Sequence, residues 1–100
     1  MAKALTKQKI DPLLRKLRGW QLVDGKAIAK TYSFKNYYET MAFVNAIAWI
    51  AHGANHHPDL EVGYNKCKVT YSTHSVGGLS EADFENARTV ENLAKPGAWQ

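Results

Sequence analysis

The stretch His52-Gly-Ala-Asn-His-His-Pro58 contains three of the four histidines in this 100-residue chain. Proline disfavours the helical conformation in the residue before it, so we expect His57 to be extended. The apolar run before the stretch predicts a long helix, and the alternating pattern from Asp59 onward predicts a strand. The stretch therefore predicts a corner between a helix and a strand, with two adjacent imidazoles held on it.

Working outward, apolar residues at helical spacing predict two further helices, one at each end of the chain. Pro12 favours a regular start near Ile10 or Asp11 for the first helix, with Pro12 in its first turn. Asp24-Gly25 predicts a hairpin turn, and Asn65-Lys66 predicts a second one. The predicted helices cover 6–17, 37–54 and the stretch from the Ser80 N-cap to Pro96-Gly97, and the predicted strands cover 20–23, 26–34, 59–64 and 67–72.

These elements follow one another in the order α-β-β-α-β-β-α. Two hairpins predict a four-stranded antiparallel sheet with three helices on one face, which is an α+β fold. The length predicts one domain spanning residues 1–100.

The second helix is so rich in apolar residues that we expect it to be the core helix. We expect the side chains of Trp49 and Tyr64 to pack into the protein. The expected buried stripe runs through Tyr37, Met41, Val44, Ala48 and Ala51, and it is widened by Phe43, Ile47, Ile50 and Ala54.

Composition excludes several classes of function. The net charge of +4 comes largely from lysines and arginines near the start of the chain, and we interpret them as a solvated helix face with no nucleic-acid partner. The most apolar stretch, residues 41–51, is shorter than the ~20 residues that a membrane span needs. Cys67 is the only cysteine and has a strand-like context, which predicts a buried inert thiol and a reducing, cytoplasmic location.

The histidines form a candidate acid–base site. His52 and His56 are four residues apart and would share one face of a helix. Pairing of the third and fourth strands brings residues before Asp59 close to His74, and Asp83 follows just past the same loop. Imidazole titrates near neutral pH, so a cluster of imidazoles with one carboxylate can supply both a proton donor and a proton acceptor.

Two other interpretations of the histidines stay open at this point. A His-x-x-x-His spacing with further histidines can hold zinc, although the glutamate of a His-Glu-x-x-His protease is missing between His52 and His56. The histidines can also be purely structural. The chain has no nucleophile elbow, no phosphate-binding loop and no dinucleotide glycine fingerprint.

The same residues resemble the pterin-4a-carbinolamine dehydratase family. The family pattern begins with a charged residue or histidine, continues after three intervening positions with His-His-Pro, and then has at set spacings an aromatic residue, a histidine and an aspartate. Here it is matched by His52, His56-His57-Pro58, Tyr64, His74 and Asp83. His52 departs from the family, which more often has an acidic residue there.

The resemblance implies dehydration of 4a-hydroxytetrahydropterin to quinonoid dihydropterin, which recycles the pterin of aromatic amino acid hydroxylases. It implies a homodimer or homotetramer, and no cofactor or metal. Two alternatives also follow from the family: a dimerisation partner of a transcription factor, or a pterin-binding protein of molybdenum-cofactor metabolism. The candidate catalytic residues are His56, His57, His74 and Asp83, and the candidate substrate-binding residues are His52, Asn55, Pro58, Ser72 and Thr73.

Overall fold

The elements of the computed structural model, which describes residues 3–94, follow the predicted order. The predicted end of the last helix at Pro96-Gly97 lies outside the described residues. The helices are α1 (Lys7–Arg15), α2 (Tyr37–Ala54) and α3 (Glu81–Leu93), the strands are β1 (Gln21–Val23), β2 (Ala27–Ser33), β3 (Asp59–Val62) and β4 (Lys66–Tyr71), and a short 3₁₀ turn covers His74–Val76.

The four strands form one antiparallel sheet in the order β1-β2-β4-β3. The two predicted hairpins are joined by pairing of β2 with β4, in a register that sets Ile28 opposite Tyr71. The β3–β4 pairing sets Asp59 opposite Thr70. The predicted α+β fold is thus confirmed, and the residues after β4 come to lie beside the residues before β3.

Alternate residues of the central strands face the helices and form the core. Ile28 and Tyr32 of β2 are buried, as are Cys67, Val69 and Tyr71 of β4. Burial raises the pKa of the Cys67 thiol, which disfavours the reactive thiolate. The predicted burial of this cysteine is confirmed.

The buried face of α2 differs from the predicted stripe. The helix begins at Tyr37, after the Asn36 side chain caps it by accepting a hydrogen bond from Glu39 N. Tyr37 and Ala48 are exposed, so the predicted stripe is wrong at these positions. The buried Thr40 hydroxyl lies 2.9 Å from the carbonyl oxygens of both Asn36 and Tyr64, so its one proton has an acceptor on either side. The fully buried residues of α2 are Thr40, Phe43, Ile47 and Ala51.

Two predicted core aromatics are on the surface. The Trp49 side chain is 79% exposed, and that of Tyr64 is 66% exposed. The prediction that they pack into the protein is wrong. Trp49 is exposed because α2 is apolar on every side and buries only the side that faces the sheet. Tyr64 lies in the turn between β3 and β4.

The first helix begins at Lys7, earlier than the start near Ile10 or Asp11 that the position of Pro12 predicted. Thr6 is its N-cap residue, and the Thr6 carbonyl accepts from the N–H groups of Lys9 and Ile10, each at 2.9 Å. Pro12 therefore lies inside the helix. Both Pro12 and Gln8, whose carbonyl loses its donor, are exposed, so water can replace the missing hydrogen bond.

A part-buried cluster around Glu91 ties α3 to the sheet. Glu91 Oε1 accepts from Trp20 Nε1 at 3.1 Å, from Lys30 Nζ at 2.5 Å and from the Tyr32 hydroxyl. Burial alone would raise the pKa of Glu91, but the hydrogen bonds from Lys30 and Tyr32 outweigh it and lower the pKa below its ordinary value. Burial, and then the bond to Glu91, raises the pKa of Tyr32.

We expect Glu91→Gln to lower the free energy of unfolding by about 2 kcal/mol near pH 7, because the amide keeps the shape but loses the charge that pairs with Lys30. The pKa of Glu91 in the folded chain lies below the ordinary 4.5, so its stabilisation is present above that pH and is lost as pH falls through the folded pKa. Urea unfolding of both proteins near pH 7 and near pH 3 measures this. If the difference in unfolding free energy between the two proteins were as large near pH 3 as near pH 7, the charge of Glu91 would not be its source.

No helix within residues 3–94 combines the length and the apolar character required to cross a bilayer.

Candidate active site

The helix α2 ends at Ala54, and Asn55 separates it from the adjacent histidines. Asn55 takes the left-handed conformation, with φ of 52°, and His56 N–H donates to the Ala51 carbonyl at 3.2 Å. This reversal turns the chain out of the helix, so His56 lies beyond it. The prediction that His52 and His56 share one helix face is therefore wrong.

Asp83 is the buried centre of the site. It lies in the first turn of α3, where the predicted capping box with Ser80 is present. Asp83 Oδ2 accepts from Ser80 N–H at 2.9 Å and from the Thr73 hydroxyl at 2.8 Å. Asp83 Oδ1 lies 2.6 Å from His56 Nε2. A fully buried carboxylate with these partners caps the helix and holds an imidazole at the same time.

Tyr71, whose role at the site the sequence did not predict, stacks against one face of the His56 imidazole. Its ring is nearly parallel to that of His56, at an interplanar angle of 8° and a centroid separation of 5.8 Å. Burial, the larger cause, and the nearby charge of Asp83 together raise the pKa of Tyr71 to about 12. The signal for Tyr71 was its place as the last inward residue of β4, after Cys67 and Val69. Together, Tyr71 and Asp83 hold the plane and the edge of the His56 ring.

A cleft of about 150 Å³ has His56 in its lining. The structure brings His56, His57 and His74 to it, as the strand pairing predicted. The His56 side chain is only 18% exposed, whereas His57 and His74 are exposed. The full lining is Asn55, His56, His57, Ser72, Thr73, His74 and Ser75.

Two candidate residues do not reach the cleft. His52 is exposed on α2, and its ring lies 6.4 Å from the ring of Trp49. Pro58 is the last residue before β3 and is not part of the lining. Their role in binding a substrate stays a prediction from sequence.

A second cleft, of about 230 Å³, adjoins the first. Both clefts are lined by Ser72, Thr73 and His74. The loop that forms their common wall is closed by two hydrogen bonds between the backbones of Thr73 and Gly78, at 2.7 and 3.3 Å. The remaining lining residues of the second cleft are Lys26, Gly77 and Gly78.

The arrangement is suited to proton transfer. One imidazole is paired with a buried carboxylate, and two exposed imidazoles face the same small cleft. Within residues 3–94, no three His, Cys, Asp or Glu side chains are grouped to hold a metal ion. A larger cleft of about 360 Å³ between α1 and α3 has no histidine in its lining, so the acid–base chemistry belongs to the smaller one.

Comparison with known proteins gives a consistent result. Residues 3–93 match the family model described as Pterin 4 alpha carbinolamine dehydratase. A protein of Nitrosospira multiformis named "Putative pterin-4-alpha-carbinolamine dehydratase" is 57% identical over 89 residues, which is 89% of this chain and 78% of that protein.

Two solved structures have the same fold. The "transcriptional coactivator/pterin dehydratase" of Brucella melitensis superimposes with a TM-score of 0.87 at 36% identity, over 92% of this chain and 99% of the other. A pterin dehydratase-like protein described as a RuBisCO assembly factor of the alpha-carboxysome has a TM-score of 0.67 at 24% identity, over 78% of this chain and 92% of the other, and shares the fold alone.

Proposed function

This chain belongs to the pterin 4 alpha carbinolamine dehydratase family, and from that premise we propose that it removes water from a 4a-hydroxytetrahydropterin by histidine general acid/base catalysis. The observation that carries the proposal is the His56–Asp83 pair, with its 2.6 Å contact, in a cleft that also contains His74. The site supplies both a proton donor and a proton acceptor within one small volume.

The reaction needs only those two groups. The C4a–O bond breaks as an acid gives its proton to the departing hydroxyl group, which leaves as water. A base takes the proton from N5, and the electron pair of the N–H bond forms the C4a=N5 double bond. The product is the quinonoid dihydropterin. Protons and electrons balance without an oxidant or a reductant.

We assign the acid to His56 and the base to His74. The carboxylate of Asp83 stabilises an imidazolium at His56, and Tyr71 holds the ring plane. His57 lines the same cleft and orients the pterin, with a secondary part in proton transfer.

The pterin is bound in this proposal by the polar residues around the cleft. Asn55, Ser72 and Thr73 belong to its lining, which supports their assignment as substrate-binding residues. His52 and Pro58 are retained from the sequence prediction alone.

The wider setting is part of the same proposal. The enzyme would act in the cytoplasm. It would take part in recycling the pterin used by an aromatic amino acid hydroxylase. We propose a homodimer or homotetramer, which is supported by two large aromatic side chains on α2: Tyr38 is 82% exposed and Trp49 is 79% exposed.

A direct assay of the wild-type chain tests the function. The 4a-hydroxytetrahydropterin is generated chemically, and its dehydration is followed by absorbance with and without the protein. We expect turnover at about 1 s⁻¹ or faster, on top of the spontaneous rate in buffer. Dehydration no faster than in buffer would refute the proposed activity.

A regulatory binding role is the second candidate, favoured by the description of the Brucella melitensis protein as a transcriptional coactivator as well as a pterin dehydratase. In that case the chain would act as the dimerisation partner of a transcription factor, and the site histidines would be dispensable. Binding of a related pterin in molybdenum-cofactor metabolism is the other alternative. Both alternatives predict no acceleration in the assay.

A further inference from the structure

We propose that Thr73 is a positioning residue that keeps the acid His56 and the base His74 at a fixed separation for proton transfer. Its hydroxyl group holds the carboxylate that contacts His56, and its backbone closes the loop that contains His74. This rests on the proposed function and deepens it, because it explains how two histidines from separate segments are aligned. Thr73 acts through these groups and transfers no proton itself.

The hydroxyl group of Thr73 belongs to a chain of hydrogen bonds with a defined direction. Its oxygen lies 2.8 Å from Asp83 Oδ2 and 2.8 Å from the hydroxyl oxygen of Ser80. A hydroxyl group has one proton to donate, and a carboxylate is a stronger acceptor than a second hydroxyl group. Thr73 therefore donates to Asp83, and Ser80 donates to Thr73. The proton of the Thr73 hydroxyl is engaged within the site, so it is not available to a substrate.

Asp83 connects Thr73 to His56. Its carboxylate is fully buried, and Oδ1 lies 2.6 Å from His56 Nε2. The last torsion of an aspartate side chain is soft, so the orientation of the carboxylate depends on its partners. Ser80 N–H and the Thr73 hydroxyl both donate to Oδ2 and fix that orientation from the side opposite His56. Loss of the Thr73 donor frees the carboxylate to turn and to move the imidazole with it.

The backbone of Thr73 fixes the loop that contains His74. Thr73 N–H donates to the Gly78 carbonyl at 2.7 Å, and the Thr73 carbonyl accepts from Gly78 N–H at 3.3 Å. The next residue, His74, begins the 3₁₀ turn inside the closed loop. In the part of the chain that the structure describes, the Thr73 hydroxyl makes the only side-chain hydrogen bonds from this loop to Asp83 and its helix cap. The base is therefore tied to the carboxylate of the acid at one residue.

The first test compares Thr73→Val, which keeps the shape but loses the hydroxyl group, with Thr73→Ser, which keeps the hydroxyl group. We expect Thr73→Val to lower kcat by about tenfold or more and to change KM by less than about twofold, because catalytic groups are misaligned. Thr73→Ser is expected to keep kcat within about twofold of the wild type. Thr89→Val is the matched control, since the exposed Thr89 hydroxyl bonds the Glu85 carbonyl on α3, and it should leave kcat and KM unchanged.

The His56 ring gives a second measurement that does not depend on turnover. We expect the ¹⁵N signals of this ring to change in Thr73→Val and to return to their wild-type positions in Thr73→Ser. A double-mutant cycle with Asp83 adds a third measurement. In the Asp83→Asn background, Thr73→Val should change kcat by less than about twofold, because a residue that acts through Asp83 has no carboxylate left to orient.

The outcomes separate the possible roles of Thr73. A higher KM with unchanged kcat in Thr73→Val would make it a substrate-binding residue, and lower stability with unchanged kcat and ring signals would make it a structural one. Either result overturns the proposal, as does a loss of kcat in Thr73→Ser as large as that in Thr73→Val. If Thr73→Val does not fold, Thr73→Ser decides, with wild-type kcat and ring signals expected. Absence of turnover in the wild type overturns the dehydratase proposal, whereas unchanged ring signals in Thr73→Val overturn the role of Thr73 alone.

Discussion

Replacing His56 with alanine is expected to lower kcat for dehydration of a 4a-hydroxytetrahydropterin by about 10²–10⁴-fold, the usual loss when a general acid or base is removed. His56 is the imidazole held by Asp83 at 2.6 Å and by the ring of Tyr71, so no other residue of the cleft duplicates its position. His74→Ala is expected to lower kcat within the same range, because His74 faces the cleft from the loop after β4.

The double variant gives the sharper result. Because the acid and the base act on one transition state, we expect His56→Ala combined with His74→Ala to cost about as much as the more severe single change. His57→Ala serves as the comparison, since loss of an orienting residue should raise KM more than it lowers kcat. Steady-state kinetics on the wild type and the four variants measures kcat and KM for each comparison. Wild-type kcat in the double variant would show that these histidines are not the acid and the base.

Much of this site was predictable from local sequence rules. Pro58 predicted the end of the helix, and the turn at Asn65-Lys66 predicted that the start of β3 lies beside the end of β4. Those two facts place His74 near His56 without any knowledge of the other strands. The capping signature of Ser80 and Asp83 likewise depends only on neighbours in the chain.

The rest depends on contacts between distant segments. The pairing of β2 with β4 is not encoded in either hairpin, yet it positions Tyr71. The Glu91–Lys30 pair joins residues 61 positions apart. Periodicity could not choose the buried face of α2 either, because that helix is apolar all round and the choice depends on how it packs against the core.

Asp83→Asn is expected to affect both stability and catalysis, because one carboxylate serves the helix and the histidine. Asp83 Oδ2 accepts from Ser80 N–H and the Thr73 hydroxyl, so the single oxygen of an asparagine side chain would stay on that side. Its amide nitrogen would then point at His56 Nε2 as a donor. Nε2 would have to become an acceptor, which moves the ring hydrogen to Nδ1.

We therefore expect Asp83→Asn to lower kcat by about 10²-fold or more, because an amide that donates to Nε2 disfavours the imidazolium that the proposed acid needs. We also expect it to lower the free energy of unfolding by about 2–3 kcal/mol, because buried charge-assisted hydrogen bonds are lost. Enzyme kinetics, urea unfolding and the ¹⁵N shifts of the His56 ring, which distinguish the two tautomers, measure these effects separately.

Ser80→Ala is the matched control for the cap. It removes the hydroxyl group of the capping box while leaving Asp83 and its contact with His56 in place. We expect it to cost about 1 kcal/mol of stability and to change kcat by less than about twofold. If Asp83→Asn matched Ser80→Ala in both stability and kcat, with the His56 ring shifts unchanged, Asp83 would be a helix cap and nothing more. A loss of kcat confined to Asp83→Asn, together with a reversed tautomer, is the result that the 2.6 Å contact predicts.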